Sequence, residues 1–334
     1  MKLGLAGAGR IGAFHAATLN SATGVETLII ADTAVERAKQ VADDLGCTAA
    51  ASIDELFEAN LDGLVIAAAT DAHAELITRA VDAGLPVFCE KPVASDVAGT
   101  VAVLRHVEQA GATVQIGFQR RFDAGYLAAR ETVRSGSLGW LHTLRATTLD
   151  PAPPPAEYVR SSGGFFRDCS VHDFDIIRWL TGQEVAEVYA VGSNRGAEYF
   201  AEAGDVDTAS AVLTLVDGTL AQVAGTRYNA AGYDVRLEVL GSQDSVAVGL
   251  DDRLPLRSTE PGVEWPSGPA YPMFMDRFHD AYAAELRAFT EVVRGDRANP
   301  CTVADALESF YVAEACELSR RERRPVALAE VRQG

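Results

Sequence analysis

Gly7-Ala8-Gly9-Arg10-Ile11-Gly12 decides how this 334-residue chain is read. It directly follows the apolar run Lys2–Ala6, which reads as a strand, and it opens the amphipathic stretch Ile11–Asn20, which reads as a helix. In that setting each glycine has a task. Gly7 permits a tight turn, Gly9 lets the backbone approach a pyrophosphate, and Gly12 lets the helix lie close on the strand. The N–H groups at the helix start then face negative charge. Asp32 stands 20 residues beyond Gly12, at the end of the next predicted strand. A carboxylate there accepts hydrogen bonds from ribose hydroxyls and repels a 2′-phosphate. The nearest cation, Arg37, belongs to the following helix, so the pattern points to NAD in preference to NADP.

Outward from the motif, short apolar runs alternate with helical periodicity. Glu26–Ala31, Gly63–Ala68, Pro86–Cys89 and Thr113–Ile116 read as strands, and Ala34–Leu45, Ile53–Ala59, Ala72–Ala83 and Val97–Gln109 as the helices between them. Such alternation calls for a parallel sheet covered on both faces, a Rossmann-type doubly wound α/β domain over residues 1–118. From Gln119 the period changes. After a helix at Asp123–Ser135 come alternating runs at Trp140–Leu149, Val185–Ser193, Thr208–Val216, Thr219–Arg227 and Tyr233–Leu240, with Asp217-Gly218 as a two-residue hairpin signal. Helices are expected at Asp168–Leu180, Phe274–Arg294 and Val303–Arg320. Residues 119–334 therefore read as an α+β domain with an open, mainly antiparallel sheet, and the last helices are free to pack back on the first domain. Helices cover one face of such a sheet and leave the other for self-association.

Composition sets limits on partners. With 29 Lys and Arg against 47 Asp and Glu, the net charge of −18 opposes binding to nucleic acid or to an anionic membrane. No apolar run approaches the roughly 20 residues of a membrane span, and Gly7, Gly9 and Arg10 interrupt any signal-peptide core, so a cytoplasmic location is expected. The five cysteines are scattered and contain no C-x-x-C pair, which fits buried thiols in a reducing compartment. The six histidines show no paired ligand spacing, so no metal site is expected. His15 reads as a packed residue of the first helix.

Two segments carry candidate chemistry. Glu90-Lys91-Pro92 lies at the carboxyl end of a predicted parallel strand, the edge where such sheets bind ligands. A lysine there can hold a substrate hydroxyl and stabilise it as it becomes alkoxide-like; a surface Lys paired with Glu90 is the plainer alternative. Gly163-Gly164-Phe165-Phe166-Arg167-Asp168-Cys169-Ser170-Val171-His172-Asp173 runs from a flexible glycine pair into a helix. Asp168 and His172, at i and i+4, share a helix face. A histidine oriented by a carboxylate is a suitable general base; a capping Asp beside a buried His is the alternative. Arg10, Ile11, Thr70, His73 and Glu90 complete the expected cofactor contacts beside Gly7, Gly9, Gly12, Asp32 and Lys91.

The combination of these motifs with Gly117-Phe118-Gln119-Arg120-Arg121-Phe122-Asp123, Asp205-Val206-Asp207-Thr208 and Gly232-Tyr233-Asp234-Val235-Arg236 resembles the Gfo/Idh/MocA oxidoreductases, nearest the inositol 2-dehydrogenase branch, over almost the whole chain. The resemblance implies a dehydrogenase that oxidises a secondary hydroxyl of a cyclitol or sugar with NAD, often as a homo-oligomer, a dimer or homotetramer joined through the second sheet. It implies Lys91, Asp168 and His172 as the catalytic group, with Asp168 holding the imidazole or a neighbouring hydroxyl, and Arg121 and Tyr233 among the substrate contacts. Leu149 and Ala231 depart from the inositol branch, which commonly has a basic residue and a Tyr at these positions. A pyranose sugar is thus as compatible as a cyclitol, and the family also contains non-catalytic dinucleotide sensors, which have no need of the Lys, Asp and His together.

Overall fold

The structure, a computed structural model, describes residues 1–332. The chain divides into two compact units, Met1–Gln119 with Asp280–Leu307, and Arg120–His279 with the segment from Glu308 onward.

In the first unit, β1 (Lys2–Ala6), β2 (Thr27–Ala31), β3 (Thr48–Ala49), β4 (Gly63–Ile66), β5 (Val87–Glu90) and β6 (Val114–Gly117) form one sheet in the order β3-β2-β1-β4-β5-β6. Every neighbouring pair is parallel. Helices α1 (Arg10–Asn20), α2 (Val35–Leu45), α3 (Ile53–Glu58), α4 (Thr70–Asp82) and α5 (Val97–Ala110) make the connections. β4 and β6 are buried along their whole length, because strands covered on both faces need continuous apolar runs. Strand order reverses between β1 and β4, and a reversal of that kind opens a crevice at the carboxyl ends of the two strands. The core joins Leu3, Leu5, Ile30, Val65 and Phe88 to Leu286 and Phe289, which arrive from the late helix His279–Arg294.

In the second unit, β7 (Leu141–Leu149), β8 (Val185–Ser193), β9 (Thr208–Leu215), β10 (Leu220–Thr226), β11 (Asp234–Gly241), β12 (Ser245–Val248) and β13 (Val326–Ala327) form a sheet in the order β12-β11-β7-β10-β9-β8-β13. All pairs are antiparallel except β7 with β10. The Asp217-Gly218 turn joins β9 to β10: Gly218 has φ +90° and Thr219 N–H donates to Asp217 Oδ1 at 3.0 Å. Alternation puts Ala209, Ala211, Leu213 and Leu215 inside, while Tyr189, Val191, Val212 and Leu220 stand exposed on the sheet's open face.

Two expected helices differ from their sequence reading. The run Phe274–Arg294 breaks into Phe274–Arg277 and His279–Arg294. Phe278 leaves helical geometry at the break (φ −111°, ψ 18°), fully buried edge-on to Tyr233 at 6.5 Å between centroids. The run from Asp168 opens on a π-helical turn, Phe166–Ser170, before regular helix Val171–Thr181. Short elements such as Thr48–Ala49, Ala156–Ser161 and Val326–Ala327 are too brief to show a period. Among the described residues no helix is long and apolar enough to cross a membrane.

Candidate active site

The glycine turn of the first unit is built by sterics that can be read position by position. Gly7 has φ +104°, and a Cβ there would lie 2.5 Å from backbone atoms of Ala67 on the neighbouring loop. A Cβ on Gly12 would lie 2.0 Å from the Gly7 carbonyl oxygen, so turn and helix touch. Gly9 is different: a Cβ there would meet nothing within 4 Å. The protein's own packing does not demand its smallness, which is of use only to a group approaching from outside. Gly9 is also the N-cap of α1, supplies no side-chain cap, and the first turn holds no acidic residue. A helix start without a side-chain cap suits an anion such as a pyrophosphate. Arg10 is exposed and Ile11 half-buried beside this turn.

Asp32 does two jobs. Its Oδ2 accepts the N–H of Ala8 inside the glycine turn and its Oδ1 that of Ala34, each at 2.7 Å, which ties the turn to the end of β2. Arg37 Nη1 reaches the same carboxylate at 3.5 Å from an otherwise exposed position. The residues present therefore fit a dinucleotide with a free ribose diol.

At the end of β5, Glu90 pairs in register with Gly117 and Lys91 follows at a half-buried position. Two histidines brace this segment. His73, 1% exposed, sets Nδ1 2.7 Å from Pro92 O and Nε2 3.1 Å from Ala68 O, tying the segment after Lys91 to the loop after β4. Thr70, half-buried, starts the same helix. His15 is fully buried, its Nε2 2.7 Å from Glu90 Oε1. Glu285 completes this group: one ligand-capable atom from each of His15, Glu90 and Glu285 lies within 4.8 Å of the others. Spacing along the sequence could not reveal it, since the three come from α1, β5 and the late helix.

In the second unit, Gly163 and Gly164 have φ +80° and +98°, and Phe165 N–H donates to Asp205 Oδ1 at 2.9 Å, aiming the π turn that carries Asp168. Asp168 accepts from Arg227 Nη2 at 2.6 Å and from the Tyr158 hydroxyl at 2.9 Å. Arg227 also donates to Asp150 Oδ2 at 2.7 Å. Burial alone would loosen the Arg227 proton, but the neighbouring Cys169, Asp168 and Asp150 hold it firmly in place. Burial, then the charge of Asp168, pushes the Tyr158 phenol up, so it remains a donor. His172 follows one turn on, half-buried. Arg227 escaped the sequence reading; its only signal is to end the run Thr219–Arg227, next to Thr226, which pairs with Leu149.

Behind these groups lie two buried ion pairs. Arg120 meets Asp173, with Thr148 bridging both, and Arg121 is bidentate to Asp175 at 2.9 and 2.6 Å. Arg121, 4% exposed, therefore spends its fork on Asp175. Tyr233, 6% exposed, is held by the rings of Phe274 and Phe278, and burial pushes its phenol up.

A glycine turn on an uncapped helix, an acid at the end of β2 and a parallel sheet of this order define a dinucleotide-binding domain. Residues 1–118 match the oxidoreductase family with an NAD-binding Rossmann fold, and residues 126–247 match the GFO/IDH/MocA C-terminal domain. The chain belongs to the Gfo/Idh/MocA oxidoreductase family. It is 38% identical over 322 residues to the myo-inositol dehydrogenase Hyg17 of Streptomyces leeuwenhoekii, covering 96% of this chain and 97% of that one. It is 35% identical over 333 residues to the myo-inositol 2-dehydrogenase of Thermotoga maritima, covering 99% of each. Among solved structures, scyllo-inositol dehydrogenase from Lactobacillus casei, with bound NAD(H) and scyllo-inositol, superimposes with a TM-score of 0.88 at 28% identity, covering 98% of this chain and 99% of that one.

Proposed function

We propose that the chain is an NAD-dependent dehydrogenase that oxidises a secondary hydroxyl of a cyclitol, in the manner of the inositol 2-dehydrogenases. The observation that carries this reading is the full-length similarity to cyclitol dehydrogenases, supported by the presence of Lys91 in Glu90-Lys91-Pro92 and of Asp168 and His172 one helical turn apart. The nicotinamide supplies the hydride acceptor. Lys91 binds the reacting oxygen and lowers the cost of its developing negative charge. His172 takes the hydroxyl proton as general base. Asp168, fixed by Arg227 and Tyr158, holds the base or a neighbouring hydroxyl in place. Gly7, Gly9, Arg10, Ile11 and Gly12 receive the pyrophosphate, Asp32 the ribose, and Thr70, His73 and Glu90 shape the remainder of the cofactor site. Tyr233 and Arg121 contribute to the substrate pocket, Arg121 through its fixed pairing with Asp175.

Leu149 and Ala231 favour a second reading, in which the ring is a pyranose sugar. Assaying a panel of inositol stereoisomers and pyranoses with NAD, by the absorbance of NADH, separates the two. Turnover of at least one inositol is expected; turnover of pyranoses alone overturns the cyclitol assignment, and turnover of neither overturns the enzyme.

The protein works as a homo-oligomer joined through the open face carrying Tyr189, Val191, Val212 and Leu220, since exposed apolar strands of this kind are costly in a monomer. The wide scatter of its cysteines along the chain, with no C-x-x-C pair, supports a cytoplasmic location.

A further inference from the structure

Glu285 is a carboxyl group with no solvent exposure, and no hydrogen-bond donor reaches either of its oxygens. It faces His15 and Glu90. Around them stand the rings of Phe14, Phe88, Tyr282 and Phe289: His15 meets Phe88 edge-on at 5.6 Å and Tyr282 at 6.0 Å, and Phe88 meets Phe289 at 6.0 Å. Two carboxylates in so apolar a shell cannot both ionise without a cation. The charged and titratable groups that face the cluster are few. α1 contributes only His15; β5 contributes Glu90 and the Cys89 thiol, itself pushed up by burial; the late helix contributes Tyr282 beside Glu285; β6 contributes the uncharged Gln115, whose Nε2 donates to the Glu285 backbone carbonyl at 3.1 Å. Lys91 is next in the chain after Glu90.

We propose that His15, Glu90 and Glu285 form a buried proton-sharing cluster behind Lys91, in which Glu285 is a neutral carboxylic acid that donates to the Glu90 carboxylate and so acts as a positioning residue for the lysine. His15 donates from Nε2 to the same carboxylate. The 2.7 Å separation of those atoms is that of a shared hydrogen; two ligands of one tetrahedral zinc ion would stand about 3.3 Å apart. His15 Nδ1 has no partner, whereas a metal-bound imidazole is normally braced through its second nitrogen. Burial, and then the charge of Glu90, pushes the Glu285 carboxyl well above the usual range, in accord with a neutral acid. One negative charge, held from two sides, therefore fixes the end of β5 from which Lys91 projects. The positioning role rests on the reading of Lys91 as the group that binds the reacting oxygen; the protonation of Glu285 does not.

The test is an infrared comparison of the NAD-loaded wild type with Glu285→Gln at neutral pH. A carbonyl band of a protonated carboxylic acid is expected in the wild type and absent from the variant. Its absence from both, or a divalent cation bound one per chain by elemental analysis, overturns the proposal. In steady-state kinetics Glu285→Leu, which removes the donor, should lower kcat about ten- to a hundredfold with little change in KM for NAD, and Glu285→Gln, which keeps a neutral donor, should restore it. Equal rates for the Leu and Gln variants overturn the positioning role, and if the Leu variant does not fold, the infrared band still decides. Failure of the cyclitol assignment would show in the substrate panel and leave the band in place.

Discussion

Replacing Arg227 by Met tests whether the network around Asp168 is held together by that one guanidinium. Arg227 makes two charge-assisted hydrogen bonds, to Asp150 at 2.7 Å and to Asp168 at 2.6 Å, from a side chain only 6% exposed. Such bonds contribute roughly 1.5–3 kcal/mol each, and breaking a buried ion pair costs about 3–5 kcal/mol because the remaining charge is stranded. Asp150 is 21% exposed and regains some hydration, whereas Asp168 is 10% exposed and regains little. The expected loss is therefore about 3–4 kcal/mol, toward the lower end of those sums. Urea denaturation of wild type, Arg227→Met, Asp168→Asn and the double variant would measure it, with a coupling of about 1.5 kcal/mol or more between the two sites. Arg227→Lys should recover only part, since one ammonium cannot bridge two carboxylates as a planar fork does. A cost below about 1 kcal/mol, or additivity within about 0.5 kcal/mol, would refute the claim that Arg227 holds Asp168.

His172→Ala should lower kcat about 10²–10⁴-fold and Lys91→Ala about 10²–10³-fold, while NAD binding by calorimetry stays near wild type; a His172→Ala enzyme keeping more than about a tenth of kcat would make the histidine structural. Gly12→Ala forces a methyl against the Gly7 carbonyl, an overpacking cost of about 1–3 kcal/mol, so NAD should bind about five- to a hundredfold more weakly, and an unchanged Kd would rule the close contact out. The raised Glu285 carboxyl predicts a pH effect on stability. The native state keeps that proton while the unfolded chain releases it above about pH 4.5, so wild type loses up to about 1.4 kcal/mol per pH unit from there until Glu285 itself ionises, and below that range the contribution is complete. Glu285→Gln should lack this slope in denaturation curves taken across pH; parallel curves would mean that Glu285 is ionised in the native protein.

What could be read from the chain beforehand follows from how far apart the cooperating residues lie. The glycine turn is six consecutive residues between one strand and one helix, so steric tasks map onto local sequence, and Gly7, Gly12 and Asp32 could be assigned from spacing alone. Glu90-Lys91 is legible for the same reason, being the last step of a strand. Arg227 meets Asp168 across 59 residues, and Glu285 comes to Glu90 from a helix that follows all but the last strand of the second sheet. No periodicity encodes those meetings. The π turn at Phe166–Ser170 was illegible on other grounds: it depends on Asp205 catching the Phe165 N–H, a contact made 40 residues away.

Because the core of the first unit takes Leu286 and Phe289 from a helix far downstream of its last strand, its six strands emerge from the ribosome well before the residues that seal them. Between Gln119 and Phe289 lie 169 further residues, on the order of ten to thirty seconds of translation at common elongation rates. During that interval a sheet rich in Leu, Ile and Val has one flank open, and it must wait, or be shielded by a chaperone, while the second sheet is produced. A fragment ending at Gln119 would carry every strand of the dinucleotide fold and still lack its lid of Leu286 and Phe289, so gene truncation at the apparent boundary should give an aggregating product where a circular permutant that brings Asp280–Leu307 ahead of Met1 could let the unit close as it emerges.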